Sequence, residues 1–315
     1  MRKALIVGID HYPNAPLSGC VNDAKRMHEI LSRHQNGKAN STCKTVVSGE
    51  QKITRALLRE HLQDLFGHKA DAALFYFAGH GVVTKFGGYL VTQDFKENDE
   101  GVAMLDLLSL ANQSRIGEVV IILDCCHAGA AGLIPALQSD QVLLREGVSI
   151  LTATSPMQKA VEMDGGGVFT TLLCGALDGG AADVMGNVSV AGIYGFLDQA
   201  FGAWGQRPYL KSHVSQLVTL RECQPVIDPA IIRRLPEYFS FAEFEYPLDP
   251  SFEPTSGQPD EKNMAIFEHL QKCRDARLLV PVGEKHLYYA AMNSKKCKLT
   301  PLGQFYWKLA KEEKI

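Results

Sequence analysis

The run Val119-Val120-Ile121-Ile122-Leu123 constrains this chain most, because it passes without a break into Asp124-Cys125-Cys126-His127-Ala128-Gly129. Five β-branched or apolar residues with no polar alternation describe a strand buried on both faces, as in the middle of a parallel sheet. In open α/β sheets, chemistry collects at the carboxyl ends of such strands. An acid, two thiols and an imidazole stand at this one. Taken alone, the stretch is equally readable as a strand end holding buried structural cysteines.

A second run, Ala72-Ala73-Leu74-Phe75-Tyr76-Phe77-Ala78, ends in Gly79-His80-Gly81. A histidine between two glycines lets backbone approach closely. Two buried strands therefore end in the two parts of a thiol–imidazole pair. Around them, strand and helix patterns alternate. Strands are expected at 3–9, 43–47, 71–78, 119–123, 148–153 and 214–220. Helices are expected at 20–34, 53–66, 104–114, 169–177 and 190–201, and a hairpin at 81–91. Such alternation predicts an α/β fold, a mostly parallel sheet with helices on both faces.

Phe77-Ala78-Gly79-His80-Gly81 followed by Asp124-Cys125-Cys126-His127-Ala128-Gly129 resembles the caspase/metacaspase superfamily of cysteine peptidases, closest to its bacterial metacaspase-like, or orthocaspase, branch. His80 precedes Cys126 by 46 residues, near the roughly 50 of caspases. Ala4–Ile9, Leu17–Ala24, Leu151–Ser155 with Gln158, Ala160 and Glu162, and Gly167–Thr170 match further segments in order. The resemblance covers roughly residues 1–222. The animal-caspase signature around the nucleophile is absent.

The resemblance implies a cysteine endopeptidase with Cys126 as nucleophile and His80 as base. Strand alternation separates Cys126 from Cys125, and the family pattern places the nucleophile two residues after the acid. His127, adjacent to Cys126, faces the other way. The resemblance also implies an oxyanion hole from the Gly81 and Cys126 N–H groups. It implies an acidic pocket of Asp23 and Asp124, which calls for Arg or Lys before the scissile bond in a protein or peptide substrate. Asp23 capping a helix is the structural alternative. Thr154 and Ser155 fall where the substrate backbone would pass.

Cofactors are not expected. Calcium-dependent metacaspases carry clustered Asp residues around the nucleophile strand, whereas here Asp106 stands alone before it and Gly129–Ile134 holds no carboxylate. Calcium takes about six to eight oxygen ligands. Control is then expected from processing or from a partner, and Arg145, the one basic residue between Cys126 and Ser149, is the candidate self-cleavage point.

Composition narrows the remaining classes. A net charge of −3 gives no global reason to bind nucleic acid. Eight scattered cysteines without a CxxC pair argue against zinc and against a disulfide scaffold. No apolar run reaches the roughly 18 residues that span a bilayer, and the first strand begins at once, so no membrane and a cytoplasmic location are expected. The resemblance implies a monomer, and bacterial stress or defence signalling is the expected setting.

Three divisions are expected: a peptidase domain at 1–224, an acidic Pro-rich linker at 225–262, and a small winged-helix-like C-terminal module at 263–315. In the module, a helix near Met264–Cys273, a hairpin over Leu278–Ala290 turning at Gly283, and a helix opened by Thr300-Pro301 carry that weaker resemblance. It offers a docking surface for an activating or target protein. The readings from other classes are a catalytically silent scaffold, a DNA-binding regulator acting through the tail, and a thiol amidase for small molecules. The joint presence of His80, Gly81, Cys126, Asp23 and Asp124 opposes the first.

Overall fold

The computed structural model describes residues 1–97, 99–127, 143–153, 162–163, 166–201 and 208–315, and of Cys126, His127, Glu162 and Met163 it describes the backbone. These residues form two compact units, one of Met1–Ala182 with Gly186–Gln224, the other of Asp183–Met185 with Pro225–Ile315.

The first unit is built on an eight-stranded sheet. Strands β1 (Arg2–Gly8), β2 (Ser41–Val47), β3 (Ala72–Thr84), β6 (Glu118–His127) and β7 (Val148–Thr152) run parallel in the order β7-β6-β3-β1-β2. β11 (Tyr209–His213) closes the β7 edge antiparallel. The far end of β3 turns back into β4 (Gly87–Lys96), which pairs with β5 (Asp99–Ala103). The expected mostly parallel α/β sheet is therefore the observed one.

Burial on both faces explains the unbroken apolar runs. Ala73, Phe75 and Phe77 of β3 and Val119, Ile121 and Leu123 of β6 share one core with Leu58 and Leu62 of α2 (Arg55–Gly67) and Leu107 of α3 (Met104–Gln113). Leu74, Tyr76, Val120 and Ile122 face the other core, with Met27 of α1 (Cys20–Ser32), Leu173 of α4 (Val168–Gly175) and Ile193 of α5 (Val190–Phe201). The last strand lies at Tyr209–His213 and not at 214–220. Its polar Lys211-Ser212-His213 end suits an edge, where Ser212 meets Ser149 hydroxyl to hydroxyl at 2.8 Å.

The second unit corrects two expectations. Residues 225–262 are not a linker: Ile231, Ile232, Leu235, Phe239, Leu248 and Phe252 are buried in one core with Phe267, Leu270 and Trp307. Its prolines start elements instead of excluding them. Asp228 caps α6 (Pro229–Arg233) and Asp249 caps a 3-10 turn at Pro250–Phe252, each with Pro at a position that has no N–H to lose. The segment also supplies β13 (Glu245–Pro247) to a three-stranded antiparallel sheet with β15 (Lys296–Leu299) and β14 (Leu279–Val282).

The expected hairpin over 278–290 is likewise replaced. After β14 the chain turns at Gly283 and enters α9 (Leu287–Met292), and the partner of β14 is β15. Leu287, Ala290 and Ala291 are buried at helical spacing. The flanking helices form where expected. Asp260 caps α8 (Glu261–Asp275), and the Thr300 hydroxyl accepts from Gly303 N–H to cap α10 (Pro301–Lys311). Among the described residues, no helix is long and apolar enough to cross a membrane.

Candidate active site

The parallel ladder between β3 and β6 continues past the core and sets His80 directly opposite Cys126. One residue further, Gly81 stands opposite His127 on β6 and Leu90 on β4, where β3 passes from its parallel partner to its antiparallel one. Cys125 is buried in the core on the α2 and α3 face, which removes it as a rival nucleophile.

His80 is held at three points. Its backbone N–H donates to the Tyr12 hydroxyl at 3.0 Å, and that hydroxyl donates to the Val91 carbonyl at 3.1 Å. The two rings lie 4.6 Å apart. Nε2 lies 2.7 Å from the Ala15 carbonyl, and a carbonyl only accepts, so Nε2 carries the proton. In the neutral ring Nδ1 then keeps its lone pair, and it is buried without a hydrogen-bond partner among the described residues. Gly79 serves this arrangement: a Cβ there would stand 2.5 Å from the Tyr12 hydroxyl. The glycine before His80 thus makes room for a protein side chain.

Tyr12 and Ala15 ride on the loop after β1, and Asp10 fixes that loop. Its carboxylate accepts from the N–H groups of Cys20 at 2.8 Å and Val21 at 3.1 Å, which caps α1 from a distance. Its own N–H donates to Ser48 Oγ at 2.9 Å, and its carbonyl accepts from Leu17.

The two predicted acidic residues meet at the start of α4. Both Asp23 Oδ2 and Asp124 Oδ2 lie within 3.2 Å of where a Cβ of Gly167 would stand. Asp23 is 2 % exposed; its Oδ2 accepts from Gly167 N–H at 2.9 Å, and its Oδ1 has no hydrogen-bond partner among the described residues. The Arg26 guanidinium is 3.7 Å from that Oδ1. Burial pushes the Asp23 carboxyl up to about 7; the Gly167 N–H opposes this and Asp124 reinforces it. Asp124, partly exposed, is raised by burial and lowered by the Thr170 hydroxyl, which donates to Oδ2 at 2.6 Å. The Cys20 thiol is raised by its burial and by Asp10. Two carboxyl groups thus stand side by side, and the Asp23 Oδ1 has no hydrogen-bond partner among the described residues.

Thr154 and Ser155 lie outside the described residues. Arg145 is engaged in the fold itself: its guanidinium donates to the carbonyls of Ala111 at 3.2 Å, Ile116 at 2.7 Å and Glu146 at 2.5 Å. Asp106 pairs with Arg59 at 3.2 Å. Sequence reasoning missed Tyr12, Ala15 and Asp10. Asp10, one residue past an apolar strand, carried the signal of a strand-end acid, whereas a backbone carbonyl such as that of Ala15 carries none.

Comparisons with known proteins bear on the family and the fold. Residues 1–216 match the model of the family described as Caspase domain. Metacaspase-1 of Ajellomyces capsulatus is 27 % identical over 165 residues, 46 % of this chain and 45 % of that protein. Metacaspase-1A of Aspergillus oryzae is 28 % identical over 163 residues, 46 % of this chain and 38 % of that protein. The match therefore spans less than half of each relative. A crystal structure of a Geobacter sulfurreducens protein superposes with a TM-score of 0.52 at 14 % identity, over 71 % of this chain and 97 % of that one, a likeness of fold.

Proposed function

The chain belongs to the caspase-domain family, and from that premise we propose that it is a cysteine endopeptidase cleaving after Arg or Lys. The observation that carries the proposal is the state of His80. Its Nε2–H is committed to Ala15, its Nδ1 lone pair is unpartnered among the described residues, and the ladder sets it opposite Cys126.

In this reading Nδ1 takes the Cys126 thiol proton as the sulfur attacks the scissile carbonyl. The oxyanion is met by the N–H groups of Gly81 and Cys126. The imidazolium then gives its proton to the departing amine as the C–N bond breaks, and water hydrolyses the thioester by the reverse proton path. Asp23 and Asp124 receive the substrate cation. Calcium is not required, since the segment after the nucleophile carries no carboxylate. Activation comes through processing, with Arg145 the candidate site, or through a partner of the C-terminal unit.

The test is an assay on fluorogenic peptides ending in Arg, Lys or Asp, with wild type and Cys126→Ala, with and without a calcium chelator. Cleavage after Arg or Lys that is lost in Cys126→Ala and indifferent to the chelator is expected. Cleavage that survives Cys126→Ala, or that prefers Asp, overturns the reading.

A further inference from the structure

The described hydrogen bonds of Asp124 lead inward, to residues that cannot reach a substrate. Thr170, in the first turn of α4, and Tyr76, in the middle of β3, are both wholly buried. Thr170 Oγ1 is 2.6 Å from Asp124 Oδ2 and 2.5 Å from the Tyr76 hydroxyl. A hydroxyl has one proton to give. When Asp124 is ionised it only accepts, so the Thr170 proton points to Asp124 and the Tyr76 proton points to Thr170. The direction of both bonds is thereby fixed.

We infer that Tyr76 and Thr170 are positioning residues for substrate specificity, a two-hydroxyl relay that orients the Asp124 carboxylate and holds it ionised for a substrate cation. The inference rests on the proposed basic-residue specificity and assigns that pocket its inner wall. Two further features agree with it. Tyr76 is the one polar side chain in the run Ala72–Ala78 and sits where an apolar residue would serve the core equally well. A lone tyrosine hydroxyl at that depth needs a partner, and the partner it has leads to the carboxylate.

The surroundings make the relay necessary. Asp124 faces Asp23 and Cys20 of α1, Tyr76 of β3 and Thr170 of α4. Asp10 lies beside Asp23 and Cys20, Arg26 leans on Asp23, and Cys174 of α4 lies near Asp23. Burial favours the protonated form of Asp124, and the Thr170 hydroxyl and backbone N–H oppose it. Removing the hydroxyl moves the loss of ionised Asp124 to higher pH.

The experiment is kcat and KM for a peptide ending in Arg, followed across an acidic-to-alkaline series, in wild type, Thr170→Val, Thr170→Ser and Tyr76→Phe. Thr170→Val is expected to raise KM at neutral pH by about tenfold or more and to shift the acid limb of kcat/KM upward. Thr170→Ser restores both. Tyr76→Phe shifts both in the same direction by less, because Thr170 keeps its proton. Alkylation of Cys126 by iodoacetamide stays at the wild-type rate in every variant, which separates the relay from the nucleophile. Acid limb and KM unchanged in Tyr76→Phe and Thr170→Val overturn the relay, and so does a loss confined to kcat with slowed alkylation. Should Thr170→Val not fold, Tyr76→Phe and Thr170→Ser decide it. A wild type that cleaves only after non-basic residues overturns the specificity reading and the relay with it.

Discussion

At the scale of the residue, the burial of Asp23 works against stability. A carboxyl pushed up to about 7 by burial binds its proton in the folded state over a pH range where the unfolded chain has released it. Between about pH 4, the ordinary aspartate value, and the raised value, the folded state holds more protons than the unfolded one. Stability therefore falls as pH rises through that window. Replacing Asp23 with Asn removes the titration while leaving an oxygen to accept from Gly167 N–H. Asp23→Asn is expected to raise Tm above pH 7 by a few degrees and to leave it unchanged near pH 4. Cleavage after Arg should be lost at the same time. Thermal melts at the two pH values, beside a peptide assay, check this; a variant that is less stable at high pH would mean the carboxylate is held by more than Gly167 and Arg26. His80 carries the complementary lesson. Its position and glycine neighbours were readable from sequence, but which nitrogen is bonded to the protein followed only from the Ala15 carbonyl.

At the scale of the element, the loop between β1 and α1 holds His80, and Asp10 is its anchor. One carboxylate caps α1 while the same residue's carbonyl and N–H fix Leu17 and Ser48. Losing a cap of this kind costs about 1–2 kcal/mol, worth roughly 2–4 °C per kcal/mol in a domain of this size. Asp10→Ala should lower Tm by that order and lower kcat more than KM, since the Ala15 carbonyl that sets the His80 tautomer loosens with the loop. Asp10→Asn keeps an acceptor and should recover part of both. A destabilised Asp10→Ala with unchanged kcat would uncouple the loop from the base. The central strands were legible because burial on both faces imposes a continuous apolar run. The edge strand at Tyr209–His213 was not, because an edge tolerates the polar residues that mask it. The bonds of the Arg145 guanidinium left no mark in the sequence, because the three carbonyls it joins are brought together only by the fold.

At the scale of the whole molecule, the composition changes at residue 225, and the first unit ends at Gln224. What lay beyond it was harder to read. Prolines and acids suggested a linker, yet in Asp228-Pro229 and Asp249-Pro250 the same residues cap and open helical turns. Tyr238, Phe239 and Phe252 lie in the core of the second unit, with Phe244 and Tyr246 packed against it. That unit has its own core and its own sheet, and His80, Cys126, Gly81, Asp23 and Asp124 all belong to the first. A chain ending at Gln224 keeps both cores that flank the central sheet. It strips Asp183–Met185 of the unit they belong to, including the Val226 N–H bond to the Val184 carbonyl. The 1–224 fragment is therefore expected to unfold cooperatively, with local loosening near residue 184, and to cleave basic peptides at least as well as the full chain. Circular dichroism melts and kcat/KM measured side by side check this. A folded fragment without activity would place part of the catalytic apparatus in the second unit. A fragment faster than the full chain would make the second unit a restraint on the peptidase, and equal rates would make it a surface for a partner.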